Sequence, residues 1–198
     1  MENQIGILAY YYGDKRYVKD TLNFDAKGLA VIKGKKNIAK GVYLIAFPSM
    51  RYNTFDIILN ETNFSIYTDT LNFIKHATIK NSIENKEMFD DMKYMSPLGV
   101  QTDSLQKLLK KIEKDTKAHE TITNALDAIG KQILTHRKEL IKIYPSTFYS
   151  KLLKAMLDID VPEGARNASG ALIDTFYNFH YTQKHYFDNI DFADSGFI

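Results

Sequence analysis

A chain of 198 residues can hold one large domain or two small ones, each with its own core. Apolar residues make up 44% of it, ordinary for a globular protein, and 26 Lys and Arg stand against 24 Asp and Glu for a net charge of +2. Bulk disorder is excluded, and nothing in that near balance calls for nucleic acid or an anionic membrane as partner.

Cysteine is absent, which rules out disulfides, thiolate metal sites and Cys-x-x-Cys redox chemistry within the chain. Met1-Glu2-Asn3-Gln4 opens with no basic region and no long apolar run, so no signal peptide is expected. No window approaches the roughly eighteen consecutive apolar residues of a membrane span.

The first eighty residues are predicted to be strands. Ile5 to Tyr12 is rich in β-formers, Gly13-Asp14 signals a turn, and Arg16 to Phe24 returns with Val18, Leu22 and Phe24 on one face. Asp25-Ala26-Lys27-Gly28 turns again, with Gly28 suited to positive φ, and Leu29 to Lys33 follows as a strand. After a loop from Gly34 to Gly41, Val42 to Phe47 is apolar on both faces, as a central strand would be. Pro48-Ser49-Met50-Arg51 breaks the pattern. Thr54 to Leu59, Phe64 to Thr68 and Ile74 to Ile79 complete the set, with Asn60 to Asn63 as a turn. Short strands at this spacing point to an antiparallel β-sandwich or open barrel.

Near Asn81 to Asn85 the period lengthens from two to about three and a half. Met88, Met92 and Met95 mark a short helix stopped near Ser96-Pro97. Asp103 and Gln106 form a capping box for the next helix, with Leu105, Leu109 and Ile112 as its seam. The seam fades from Glu113 to Lys117. It returns as Ile122, Leu126, Ile129, Ile133, His136, Leu140 and Ile143, the clearest periodicity in the chain, closed by Pro145. Ser146 is placed to cap a helix reaching about Leu157, and a last helix is expected from about Ser169. The class is therefore α+β, with a β domain over 1–82 and a helical domain over 83–198.

That last helix carries Leu172, Phe176, Phe179 and Gln183 on one stripe and Ile173, Tyr177, His180 and Lys184 on the next. Two aromatic stripes mean broad burial, or burial on one side and a partner on the other. Beyond them Phe187-Asp188-Asn189-Ile190-Asp191-Phe192 reads as a turn pinned by its two phenylalanines.

The core of this ending, Lys184-His185-Tyr186-Phe187-Asp188-Asn189-Ile190-Asp191-Phe192, resembles a family of exported thioredoxin-like proteins (AhpC/TSA-like thiol–disulfide oxidoreductases) of Bacteroidetes-type bacteria. Tyr11-Tyr12-Gly13-Asp14-Lys15-Arg16-Tyr17-Val18-Lys19-Asp20-Thr21 and Gly41-Val42-Tyr43-Leu44 look like the β domain that opens members of that family. The resemblance implies a piece of a larger lipoprotein, exported to the periplasm or anchored at the outer membrane. Its thioredoxin-like domain would follow this chain and be its partner, alongside protein substrates. Tyr181, His185, Tyr186, Phe187, Asp188, Asp191 and Phe192 would form the joint to it. The family's β domain usually has one more strand before Ile5 to Tyr12, which implies an open sheet edge there.

No Gly-x-Ser-x-Gly, phosphate loop, dinucleotide fingerprint or His-Glu-x-x-His is present, and no cofactor, metal or catalytic residue is expected. His180 and His185, five apart, diverge on a helix, unlike a metal-binding pair four apart. His136 reads as a packed histidine at the end of a core stripe. Asp188, Asp191 and Asp194 lack a calcium-loop pattern and suit turn capping. Lys107, Lys110, Lys111, Lys114 and Lys117 alternate with acids, as on a solvated helix face with i, i+4 pairs. Tyr10, Tyr11, Tyr12 and Tyr17 give the alternative: a stand-alone surface module that binds a glycan or peptide on its tyrosine-rich hairpin.

Overall fold

The computed structural model describes residues 3–33, 38–50, 53–114 and 116–197. The loop residues 34–37, Arg51 in the expected break and Asp115 in the expected junction lie outside them. Strands precede helices, as the α+β class requires. Antiparallel strands β1 (Ile5–Tyr12), β2 (Lys15–Asn23), β3 (Gly41–Phe47) and β4 (Asn53–Leu59) form one sheet in the order β2-β1-β3-β4. Strands β5 (Ser65–Tyr67) and β6 (Thr78–Lys80) pair in a second. The β1–β2 hairpin turns on Gly13-Asp14, where Gly13 supplies the positive φ of 61° that a Gly-x turn needs at its first position.

Four strand expectations are corrected, the first being Ile74 to Ile79, of which only Thr78 and Ile79 are strand because a turn occupies the residues before them. β1 lies between β2 and β3, so the sheet's edges are β2 and β4 and not β1. A register shift opposite Leu8 and Ala9 leaves Lys19 as a bulge, pairing Val18 with Ala9 and Leu22 with Gly6. Val18 and Leu22 therefore take opposite faces, because one extra residue inverts the alternation. Leu29 to Lys33 is not a strand. Asp25 folds that segment back on itself, accepting the Lys27 and Leu29 N–H groups on Oδ1 at 2.8 and 2.9 Å.

The main core lies against the face of the sheet that carries Leu8, Tyr43, Phe47, Phe55 and Ile57. Phe73 packs its ring against Phe47 and Phe55, each at 5.2 Å between centroids, and Phe89 meets Phe55 edge-on at 6.0 Å. Met88, Phe89 and Phe148 join the same cluster, so it draws on residues from both sides of the expected boundary at 82/83.

Two long helices follow, α1 (Ile83–Leu109) and α2 (Lys117–Ile143), then the shorter α3 (Phe148–Ala155) and α4 (Tyr177–His185). α1 starts under a Ser82 cap and runs straight through Pro97 as one helix, where two were expected. Pro97 removes a ladder hydrogen bond, but α1 is held on both sides of it, by Met88 and Phe89 in the core and by the buried Leu98 beyond. Tertiary packing outweighs the local breaker.

The expected seam of α2 is half-buried from Ile122 to Leu140, while Ile143 is exposed. No α2 residue is fully buried, as expected where one helix packs mainly on a single neighbour. Thr147, rather than Ser146, caps α3, accepting the Ser150 N–H at 3.2 Å. α4 begins eight residues later than expected. Asn167 Oδ1 accepts the N–H groups of Ser169 and Ala171, and Gly170 takes φ 84°, so this stretch is spent on a turn. Leu172 and Ile173 thus fall outside the helical stripes.

Candidate functional site

The C-terminal segment carries the largest collection of exposed aromatic side chains. Phe176, Phe179, Tyr186, Phe187 and Phe192 are each more than half exposed. Phe179, Thr182, Gln183, Tyr186 and Phe187 line a shallow groove along α4 and its end. The segment is organised by its own side chains: Tyr181 stacks on His185 at 4.2 Å, and Phe187 meets Tyr186 and Phe192 edge-on at 4.9 and 5.4 Å. Of the expected joint residues, Tyr181 and His185 are half-buried, while Tyr186, Phe187, Asp188, Asp191 and Phe192 are exposed.

The two histidines diverge, each held by its own carboxylate. His180 Nδ1 lies 2.8 Å from Asp174, and His185 Nδ1 lies 2.6 Å from Asp188. The His180 hydrogen bond, with the Phe176 N–H, holds the Asp174 carboxyl below its usual range. No group of three or more metal-ligating side chains converges among the described residues.

The end of the segment is pinned to the core. Asp194, its side chain 6% exposed, receives Lys40 Nζ at 3.1 Å and Lys151 Nζ at 2.5 Å, and its Oδ1 accepts the Gly196 N–H. The Lys151 bond leads in holding its carboxyl down to about 2. Phe197 then packs edge-on against Phe148, 5.3 Å between centroids, and Gly196 passes so close to that ring that an added Cβ would collide with it. The three aspartates thus divide their work: Asp188 holds His185, Asp191 closes a turn on the Ala193 N–H, and Asp194 anchors.

The tyrosine-rich hairpin splits between two faces of the sheet. Tyr10 stacks on Tyr17 at 5.7 Å, and Tyr12 meets Tyr17 edge-on at 6.4 Å. Tyr10 also adjoins the buried Tyr43, whereas Tyr12 and Tyr17 are 67% and 42% exposed. Tyr11 points the other way, hydrogen-bonding Asp56 at 3.3 Å beneath the Arg16 guanidinium. Only Tyr12 and Tyr17 are offered together to solvent.

One constellation escaped the sequence reading. Glu84, Glu87 and Asp91, spaced three and four apart on α1, are all buried against the start of α3. Glu84 accepts the Phe148 and Tyr149 N–H groups at 2.9 and 3.0 Å, capping α3 from another helix. Glu87 accepts the Thr147 and Ser150 hydroxyls at 2.6 and 2.7 Å, and Asp91 accepts the Tyr149 hydroxyl at 2.5 Å. Burial pushes the Glu87 carboxyl and the Tyr149 phenol up.

His136 completes the group. Its ring stacks on Tyr94 at 3.8 Å, with Nε2 2.9 Å from Asp91 Oδ1, out of hydrogen-bond alignment. Carboxylates at 84, 87 and 91 repeat with a helical period, which was the available signal. Glu84 and Glu87 are satisfied inside the protein by these donors, whereas Asp91 Oδ1 and His136 Nε2 are buried with no hydrogen-bond partner among the described residues. The lysines from Lys107 to Lys117 are exposed, and neither Asp103–Lys107 nor Glu113–Lys117 forms an ion pair, while a pair with Asp115 lies outside the described residues.

No helix among the described residues is long and apolar enough to cross a membrane. No family model, curated protein or solved structure matches this chain.

Proposed function

We propose that this chain is the non-catalytic N-terminal accessory region of an exported thioredoxin-like oxidoreductase, and that α4 with the turns after it is the joint on which the redox domain seats. The observation that carries this reading is the exposed aromatic face. Five large rings lie more than half in solvent on a segment anchored by Asp194 at its end. Contiguous exposed apolar surface of that kind marks a place where another protein sits. Glu84 and Glu87 are taken up by capping and hydroxyl bonds, which suits a scaffold that holds a neighbour. Assignment of that neighbour as a thioredoxin-like domain, and of the whole to the exported compartment, rests on the resemblance of residues 184–192.

Joining the chain after Ile198 to a thioredoxin-like domain of the resembled family tests it. Hydroxyl-radical labelling of Tyr186, Phe187 and Phe192 is expected to fall in the joined protein, and that of Tyr186 and Phe192 to recover when Phe179→Ser and Phe187→Ser are introduced together. Equal labelling with and without the domain would remove the joint.

A second reading is favoured by Tyr12 and Tyr17, two exposed rings on one face that could stack on a sugar or other flat ligand. Retention on a glycan array that is lost in Tyr12→Ala and Tyr17→Ala, yet kept in Tyr11→Ala, would support it. Silence across the array would leave the joint as the better account.

A further inference from the structure

The two edges of the four-stranded sheet are treated differently. At β4 the Asn85 side chain bonds both the N–H and the carbonyl of Ile58, covering that edge at this residue. In the far half of β2, Asp20 Oδ1 accepts the Thr21 N–H at 2.7 Å, taking up that one group. The near half, 15–19, pairs with β1 on one side, and no element among the described residues pairs with it on the other. Every residue in it is exposed, including Val18 at 66%.

This open stretch is basic. Residues 15–19 contain Lys15, Arg16 and Lys19 and no acid, with Asp14 and Asp20 flanking them, in a chain whose overall excess is only two. Lys15, Arg16, Lys19, Lys27 and Lys33 take part in no ion pair among the described residues. Lysines and a bulge on an edge strand ordinarily guard against self-pairing. The same charges give the edge a preference: a second copy of β2 would set Lys15, Arg16 and Lys19 against their like, whereas an acidic strand would meet them favourably.

We propose that the edge of β2 over Lys15–Lys19 is a docking site for an extended acidic segment of a partner protein, which adds to the sheet as a fifth strand. Main-chain hydrogen bonds would supply the affinity, and the basic side chains would select the partner. The site is separate from α4, so failure of the aromatic joint leaves it standing.

The probe is a short fluorescent peptide alternating Glu with Val, compared by anisotropy with its Lys–Val counterpart and with a copy N-methylated at alternate amides. The Glu–Val peptide is expected to bind, and about tenfold more weakly when salt rises from about 0.05 to about 0.5 M. Binding should drop about tenfold or more in the exposed triple variant Lys15→Glu, Arg16→Glu, Lys19→Glu and with the N-methylated peptide. It should persist in Lys107→Glu, Lys110→Glu, Lys111→Glu and in Tyr12→Ala. No binding, binding indifferent to N-methylation, equal binding of the Lys–Val peptide, or sedimentation of the free protein as a dimer that the β2 variant breaks would each overturn the proposal.

Discussion

Asn85 closes the edge of β4 through Ile58: its Oδ1 accepts the Ile58 N–H and its Nδ2 donates to the Ile58 carbonyl, both at 2.8 Å. Both residues are fully buried, so this side chain does for Ile58 what a neighbouring strand would do. It also couples sheet to helix, since Asn85 lies in the first turn of α1 and Ser82, which caps that turn, holds the same amide at 2.9 Å. Asn85→Leu would strand two buried backbone groups, each worth about 1–3 kcal/mol. A loss of about 3 kcal/mol in urea unfolding is expected, with Asn85→Asp, which keeps the acceptor alone, falling between it and the parent. If Asn85→Leu unfolds at the parent's urea midpoint, the edge is not closed by this amide.

Glu87 carries a pH dependence of opposite sense to most carboxylates. Burial raises its folded value, overcoming the hydroxyls of Thr147 and Ser150 that lower it, while Glu84 and Asp91 add to the rise. Between the unfolded glutamate value of about 4.3 and that raised value, the native state holds the extra proton. Stability from this group therefore falls as pH climbs through the window and is flat above it. Glu87→Gln cannot titrate, so it should lose this decline and match or exceed the parent at neutral pH. Glu87→Ala leaves two buried hydroxyls without their acceptor and should cost about 2 kcal/mol at any pH. Urea midpoints from pH 4 to 8 decide it; superimposable profiles for parent and Glu87→Gln would show that the carboxyl titrates normally.

The β-formers of Ile5 to Tyr12, the two apolar faces of Val42 to Phe47 and the alternation in Thr54 to Leu59 made β1, β3 and β4 legible, and the four-and-three rhythm from Ile122 to Leu140 did the same for α2. Side-chain periodicity reports burial, and these elements are placed by burial. What stayed illegible was set by contacts distant in sequence. The Lys19 bulge needs β1 opposite it. Glu84, Glu87 and Asp91 look like solvent-facing acids until α3 is seen to bring its N–H groups and hydroxyls to them. In the candidate site, the aromatic run was legible and its division was not: nothing in Tyr10-Tyr11-Tyr12 says that Tyr11 faces Asp56 while its neighbours face Tyr17 and Tyr43.

Pro97 offers a test of how α1 tolerates a breaker. Its ring is exposed, so it contributes little packing in return for the lost ladder bond. A proline inside a helix costs about 3 kcal/mol, part of which is offset because it also restricts the unfolded chain. Pro97→Ala should therefore stabilise the protein by about 1–2 kcal/mol, read as a higher melting temperature by circular dichroism. A lower melting temperature would mean that Pro97 is needed to seat Leu98 against its neighbours.

Asp194 fixes the pH at which the tail lets go. Its carboxyl is held down to about 2, first by Lys151 and then by the Gly196 N–H and Lys40, from an unfolded value of about 3.9. A depressed acid stabilises the native state above the unfolded value, and that contribution is lost as pH falls through the folded one. Neutral buffers should thus leave the anchor intact, and it should release between about pH 4 and pH 2, withdrawing Phe197 from Phe148. Asp194→Asn, which keeps the shape and drops the charge, should release it at pH 7 at a cost of about 1–2 kcal/mol, since Lys151 is partly exposed and the pair is screened. Gly196→Ala should reach the same end by collision with the Phe148 ring while leaving Asp194 charged. Hydrogen exchange of the 194–197 amides reads all three conditions. Faster exchange in both variants at pH 7, with the parent joining them only in acid, is the expected pattern; protection that survives Asp194→Asn would assign the anchor to Phe197 alone.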